Sequence, residues 1–108
     1  MNMQELIDRS EQASQLLSLL ANPHRLRILC ELQAGERSVS ALEAVVGLSQ
    51  SALSQHLAKL REAQIVTTRR EAQTIHYSIA DPRAQRLLDV LAELFCPPDS
   101  KGPAVPGD

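Results

Sequence analysis

Ser49-Gln50-Ser51-Ala52-Leu53-Ser54-Gln55-His56-Leu57-Ala58-Lys59-Leu60-Arg61 is the stretch on which the reading of this chain turns. Ala52, Leu53, Leu57 and Leu60 recur at helical spacing, so one face of a helix over about Gln50 to Ala63 packs inward. Ser49 is a good N-cap for it. Gln50, Ser51, Ser54, Gln55 and His56 are left on the outward, N-terminal side. Such side chains suit a DNA major groove: glutamine makes paired hydrogen bonds to adenine, and serine donates to bases or phosphates. The free amides of the first turn add a phosphate site.

Upstream, a shorter helix carries Val39, Leu42, Val45 and Val46 and ends at Gly47. Ser38 or Ser40 caps it, and Ser40 with Glu43 three residues later fits a capping box. Two short helices joined by a tight glycine-containing turn make a helix-turn-helix. Before them, residues 4–21 form a helical stripe through Leu6, Ile7, Ala13, Leu16, Leu17, Leu20 and Ala21. Asn22-Pro23 stops this helix and starts the next. That next helix, about His24 to Ala34, is expected to bury Leu26, Ile28, Leu29, Cys30 and Leu32, with Gly35 ending it.

Downstream the period changes. Ile65 to Arg70 and Thr74 to Ile79 alternate around Glu71-Ala72-Gln73, which predicts a hairpin. Arg69, Arg70 and Gln73 flank its tip, where a wing reaches phosphates or the minor groove. Asp81-Pro82 opens a last helix to Phe95, with Leu87, Leu88, Leu91, Leu94 and Phe95 on one side. The fold class is mainly α, an α+β winged helix-turn-helix in the order α-α-α-α-β-β-α. One domain is expected over residues 1–96, with a disordered proline-rich tail over 97–108. The leucines of the first and last helices exceed what so small a core hides, so these helices are expected to form a homodimer interface.

Composition agrees with this reading. The chain has 108 residues, 44% hydrophobic and 22% charged, room for one ordinary globular domain. Its aromatics are Tyr77 and Phe95 alone, too few for the stacking platforms of a single-strand reader. No apolar run spans a bilayer, and Met1 to Glu11 lacks a signal-peptide core, so the expected location is cytoplasmic. Net charge is −2, yet residues 49–79 hold four basic against two acidic residues. A basic segment on an acidic body lets one face meet double-stranded DNA.

The run Leu48 to Arg61 resembles the recognition helix of the ArsR/SmtB family of dimeric bacterial repressors. Asn22-Pro23-His24-Arg25-Leu26-Arg27-Ile28-Leu29 and the wing's Ile75-His76-Tyr77-Ser78-Ile79 resemble the same family, in the same order along the chain. The likeness covers about residues 10–96. Two positions depart from it: Gln64 and Ala72 stand where the family usually has glycine after the recognition helix and often has it at the wing tip. Gln64 then has to adopt a left-handed conformation or the helix has to end differently, at roughly 1 kcal/mol.

The family's metal sites are not matched. Ser40-Ala41-Leu42-Glu43-Ala44 has no cysteine, and of the last-helix zinc ligands this chain offers Asp81 alone. His24, His56 and His76 fall on different elements without ligand spacing, so no metal and no cofactor is expected. The placing of Cys30 and Cys96 resembles the thiol-sensing branch of the family, the HlyU, BigR and SqrR type, and implies a disulfide or polysulfide between them. Arg27, one turn before Cys30, favours a thiolate there, while Glu31 opposes it. Cys96 at a helix C-terminus is disfavoured as an anion. Cys30 is therefore expected to attack and Cys96 to resolve.

The function implied is a dimeric regulator, a repressor of an inverted-repeat operator, switched by reactive sulfur or oxidants through Cys30 and Cys96. Passive cysteines with a metal, arsenite or small-molecule signal are the alternative, as is anti-silencing of a promoter. A thiol enzyme needs a Cys-x-x-Cys or an activating histidine beside the thiol in sequence, and has neither.

Overall fold

The Asn22 carboxamide accepts hydrogen bonds from the amides of His24 and Arg25 at 2.9 and 3.0 Å, and Pro23 stands at the first helical position. This junction separates α2 (Ser10–Leu20) from α3 (Pro23–Leu32). The computed structural model describes residues 2–96; the tail expected at 97–108 lies outside them. Ahead of α2 is α1 (Met3–Asp8), so the stripe over 4–21 is two helices rather than one. At the break the Ser10 hydroxyl donates to the Ile7 carbonyl at 2.8 Å, and Arg9 leaves helical geometry at φ −112°, ψ 20°. A side-chain hydroxyl that satisfies a helix carbonyl competes with the ladder.

The rest follows as β1 (Arg37–Ser38), α4 (Val39–Val46), α5 (Gln50–Glu62), β2 (Val66–Glu71), β3 (Thr74–Ile79) and α6 (Pro82–Phe95). The strands form one antiparallel sheet in the order β1-β3-β2. This is the winged helix-turn-helix, with β1 as an element the alternation did not reveal. Two residues are too short to show a period, yet Arg37 pairs with Tyr77 and Ser38 with His76. Ser38 also caps α4, accepting from the Ala41 amide at 3.1 Å. The cap is thus Ser38, and the box expected from Ser40 and Glu43 is replaced by it.

Leu53, Leu57 and Leu60 of α5 are buried against Ile28, Leu29 and Leu32 of α3 and Leu42 of α4. Tyr77, Ala84 and Leu88 complete the core from the sheet and α6. Cys30, expected among the buried positions of its helix, is exposed. Ile28, Leu29 and Leu32 occupy the inward face, and at about 100° per residue Cys30 is turned away from it.

Gly47 ends α4 in the left-handed region at φ 71°. Gln64 takes the same region at φ 62°, where its amide donates to Arg61 O and the Ile65 amide reaches Leu60 O, each at 2.9 Å. These bonds form the Schellman pattern that glycine usually serves. Gln64→Gly is accordingly expected to stabilise the fold by about 1 kcal/mol, read as a higher urea midpoint. A lower midpoint would show that the glutamine side chain contributes more than its backbone costs.

Candidate functional site

The outward side of α5 has the composition expected of it. The Ser49 hydroxyl accepts from the Ala52 amide at 3.2 Å, and Gln50, Ser51, Ser54 and Gln55 are exposed. Lys59 and Arg61 stand in the last turn, where cations favour the helix dipole. His56 differs from the others: it is half-buried, and its ring lies 5.6 Å from that of His24, tilted by 38°. Burial, then the charges of Arg25, His24 and Lys59, hold His56 below the ordinary histidine pKa. The packing of α3 on α5 thus joins two histidines that sequence spacing kept apart.

The wing separates its polar residues. Arg69 donates from Nε and Nη2 to Glu36 Oε2 and Oε1 at 3.0 and 2.9 Å, and Glu71 lies 3.7 Å away. The Arg69 guanidinium holds the Glu36 carboxyl below its usual range. Arg69, expected to reach DNA from the hairpin, is engaged here by a carboxylate just before β1. Nothing in the spacing of Glu36 foretells this, because the contact depends on the pairing of β1 with β3. Arg70 makes no ion pair among the described residues and is exposed, as is Gln73 in the turn. Ala72, also in that turn, has a positive φ of 57°.

Cys30 lies near the end of α3, and Cys96 is the C-cap of α6, its amide bonded to Ala92 O at 2.8 Å. Both thiols are exposed. The Gln33 amide ties the two helices by donating to Asp89 Oδ1 at 2.6 Å. Partial burial, then Glu31, pushes the Cys30 thiol up; Arg27 pulls it down, and Cys96 adds to the rise. The expected thiolate-favouring effect of Arg27 is therefore outweighed. Its guanidinium is committed to Glu31 Oε2 at 3.0 Å and to the Val45 carbonyl at 2.8 Å.

Among the described residues no three of His, Cys, Asp or Glu gather to hold a metal ion. No described helix is long and apolar enough to cross a membrane. An apolar groove of about 500 Å³ is lined by Ala13, Leu16, Leu17, Pro82, Arg83, Arg86 and Leu87. Leu17 in its lining is exposed, as are Leu94 and Phe95 at the end of α6 and Met3, Leu6 and Ile7 of α1.

Comparison with known proteins converges on one group. A family model described as bacterial regulatory protein, arsR family, matches residues 22–68. The transcriptional activator HlyU of Vibrio cholerae serotype O1 is 46% identical over 96 residues, covering 89% of each chain. A biofilm growth-associated repressor of Agrobacterium fabrum is 47% identical over 91 residues, 84% of this chain and 78% of that one. The crystal structure of the transcriptional repressor BigR from Xylella fastidiosa superposes with a TM-score of 0.85 at 38% identity, covering 89% of this chain and 98% of that one. These relatives are transcriptional regulators, not enzymes.

Proposed function

This chain belongs to the ArsR family of bacterial regulatory proteins, and from that premise we propose that it is a dimeric repressor released from its operator when Cys30 and Cys96 are bridged. DNA binding and transcriptional regulation come with the family; the dimer, the operator symmetry and the thiol switch are our reading. Two α5 helices enter successive major grooves, about 34 Å apart, on an inverted repeat. Gln50, Ser51, Ser54 and Gln55 face the bases, half-buried His56 stands behind them on the DNA side of α5, and Arg70 and Gln73 approach the backbone from the wing. Arg69 joins them when Glu36 releases it. Replacing Glu36 by Gln should steepen the fall of log affinity with log salt by about one contact. An unchanged slope would leave Arg69 out of the interface.

The switch is supported by the exposure of both thiols at the ends of two helices that the Gln33–Asp89 hydrogen bond ties together. With a low-molecular-weight persulfide as oxidant, Cys30 takes its outer sulfur and releases the parent thiol. The Cys96 thiolate then attacks the inner sulfur of the Cys30 persulfide, closes the S–S bond and expels hydrosulfide. Arg27 supports the transmission of this event, because it joins α3 to the end of α4 through Val45 O.

The test is operator affinity at fixed salt for wild type and Cys30→Ser, before and after a persulfide donor, with mass spectrometry on the same samples. Wild type is expected to lose about 5- to 150-fold in affinity while gaining the bridge, and the variant to do neither. Full affinity in bridged wild type would make the cysteines passive. The relatives include both an activator and a repressor; footprint position relative to the promoter separates the two here.

A further inference from the structure

We infer that His24 and His56, with Lys59, form a proton-linked seat for a backbone phosphate of duplex DNA. The inference rests on the reading of α5 as the DNA-facing helix and adds α3 to the interface. His24 lies in the first turn of α3 and is exposed, while His56 is half-buried in the second turn of α5. Their ring centroids are 5.6 Å apart, close enough for one oxyanion to accept from an N–H of each.

The local field selects the sign of the ligand. The charged groups acting on His56 are Arg25 and His24 from α3 and Lys59 from its own helix, all cationic when protonated. A metal ion is opposed by Arg25 and Lys59, whereas an anion is attracted by both. Arg25 supplies field rather than a contact, because its guanidinium already donates to the carbonyls of Leu19 and Ser18 at 2.8 and 3.2 Å. Lys59 is exposed and makes no ion pair among the described residues, so its ammonium is available to the same phosphate.

This arrangement couples binding to pH. Without DNA, burial and the neighbouring positive charges hold the His56 pKa below the ordinary histidine value. A phosphate reverses that balance and raises the pKa in the complex. Binding then takes up a proton from solvent. Affinity gained in this way is fully present below the pKa of the free protein and is lost as pH rises through that of the complex. His76, the third histidine, stands on the wing with Nε2 at 3.3 Å from Glu71 Oε1, apart from this seat.

Because the contact is with backbone, a 30-base-pair duplex of mixed sequence at low salt is a sufficient probe, with the cysteines kept reduced. Wild type is expected to bind it about tenfold more tightly at pH 6 than at pH 8. His56→Gln should flatten this response to within about twofold, and His24→Gln should lower the affinity seen at pH 6. Lys59→Met should weaken binding at every pH and lower the salt slope by about one. NMR titration of the imidazoles should report a higher His56 pKa with duplex bound. A pH response that persists in His56→Gln, or a flat one in wild type, overturns the proposal while leaving DNA binding intact. A chain that binds no duplex at any pH overturns the DNA-facing reading as well.

Discussion

Replacing Leu94 and Phe95 together by glutamate should yield a folded monomer that binds its operator about 100-fold or more weakly than wild type. Within one chain these side chains remain 68% and 77% exposed, so the fold loses little when they change. In a two-fold interface each substitution is made twice, and each apolar side chain covered there contributes about 1.5–3 kcal/mol. Glutamates in their place add uncompensated charge to a surface that has to dry. The monomer then holds one half-site and forfeits the effective concentration that joins the second. Sedimentation equilibrium and operator titration check the two parts together. A double variant that sediments as a dimer would move the interface away from α6.

The second large effect concerns folding. Leu53→Ala should cost about 2–5 kcal/mol, a large share of the roughly 5–15 kcal/mol that holds a domain folded. Leu53 is fully buried, beneath the exposed polar face of the same helix. Its truncation leaves a cavity between α5 and the helices it packs on, with no solvent to fill it. The adjacent exposed Ser51 provides the contrast, since Ser51→Ala should shift stability by less than about 0.5 kcal/mol. Urea unfolding of the two variants separates them, and similar midpoints would contradict the assigned helical phase.

Signals that reside in one short segment were the legible ones. Asn22-Pro23 announced the start of α3, Gly47 the end of α4, and Ser49 the start of α5, each through a backbone requirement with few solutions. The positive φ of Gln64 was one of two outcomes that the family likeness left open, and no local signal in the glutamine itself announced it. Signals that depend on three-dimensional pairing were not legible. The Glu36–Arg69 ion pair needs the β1 register, and the His24–His56 contact needs α3 laid on α5. Cys30 shows a third case: its helix was right, but one residue of phase separates a buried position from an exposed one. The break at Arg9 lies in a stripe whose apolar residues suit one helix or two.

Ser38 belongs to β1 and also caps α4, while its neighbour Arg37 donates to the Glu31 carbonyl at 2.8 Å. These two residues therefore act as a shared hinge pin. If the β1 edge of the sheet opens, the first turn of α4 loses its cap in the same event, whereas the Glu71–Thr74 end of the hairpin lies beyond β1 and frays alone. Local opening thus divides the wing into a base synchronised with the helix-turn-helix and a tip with its own clock. A change arriving along α3 reaches the base without having to stir the tip.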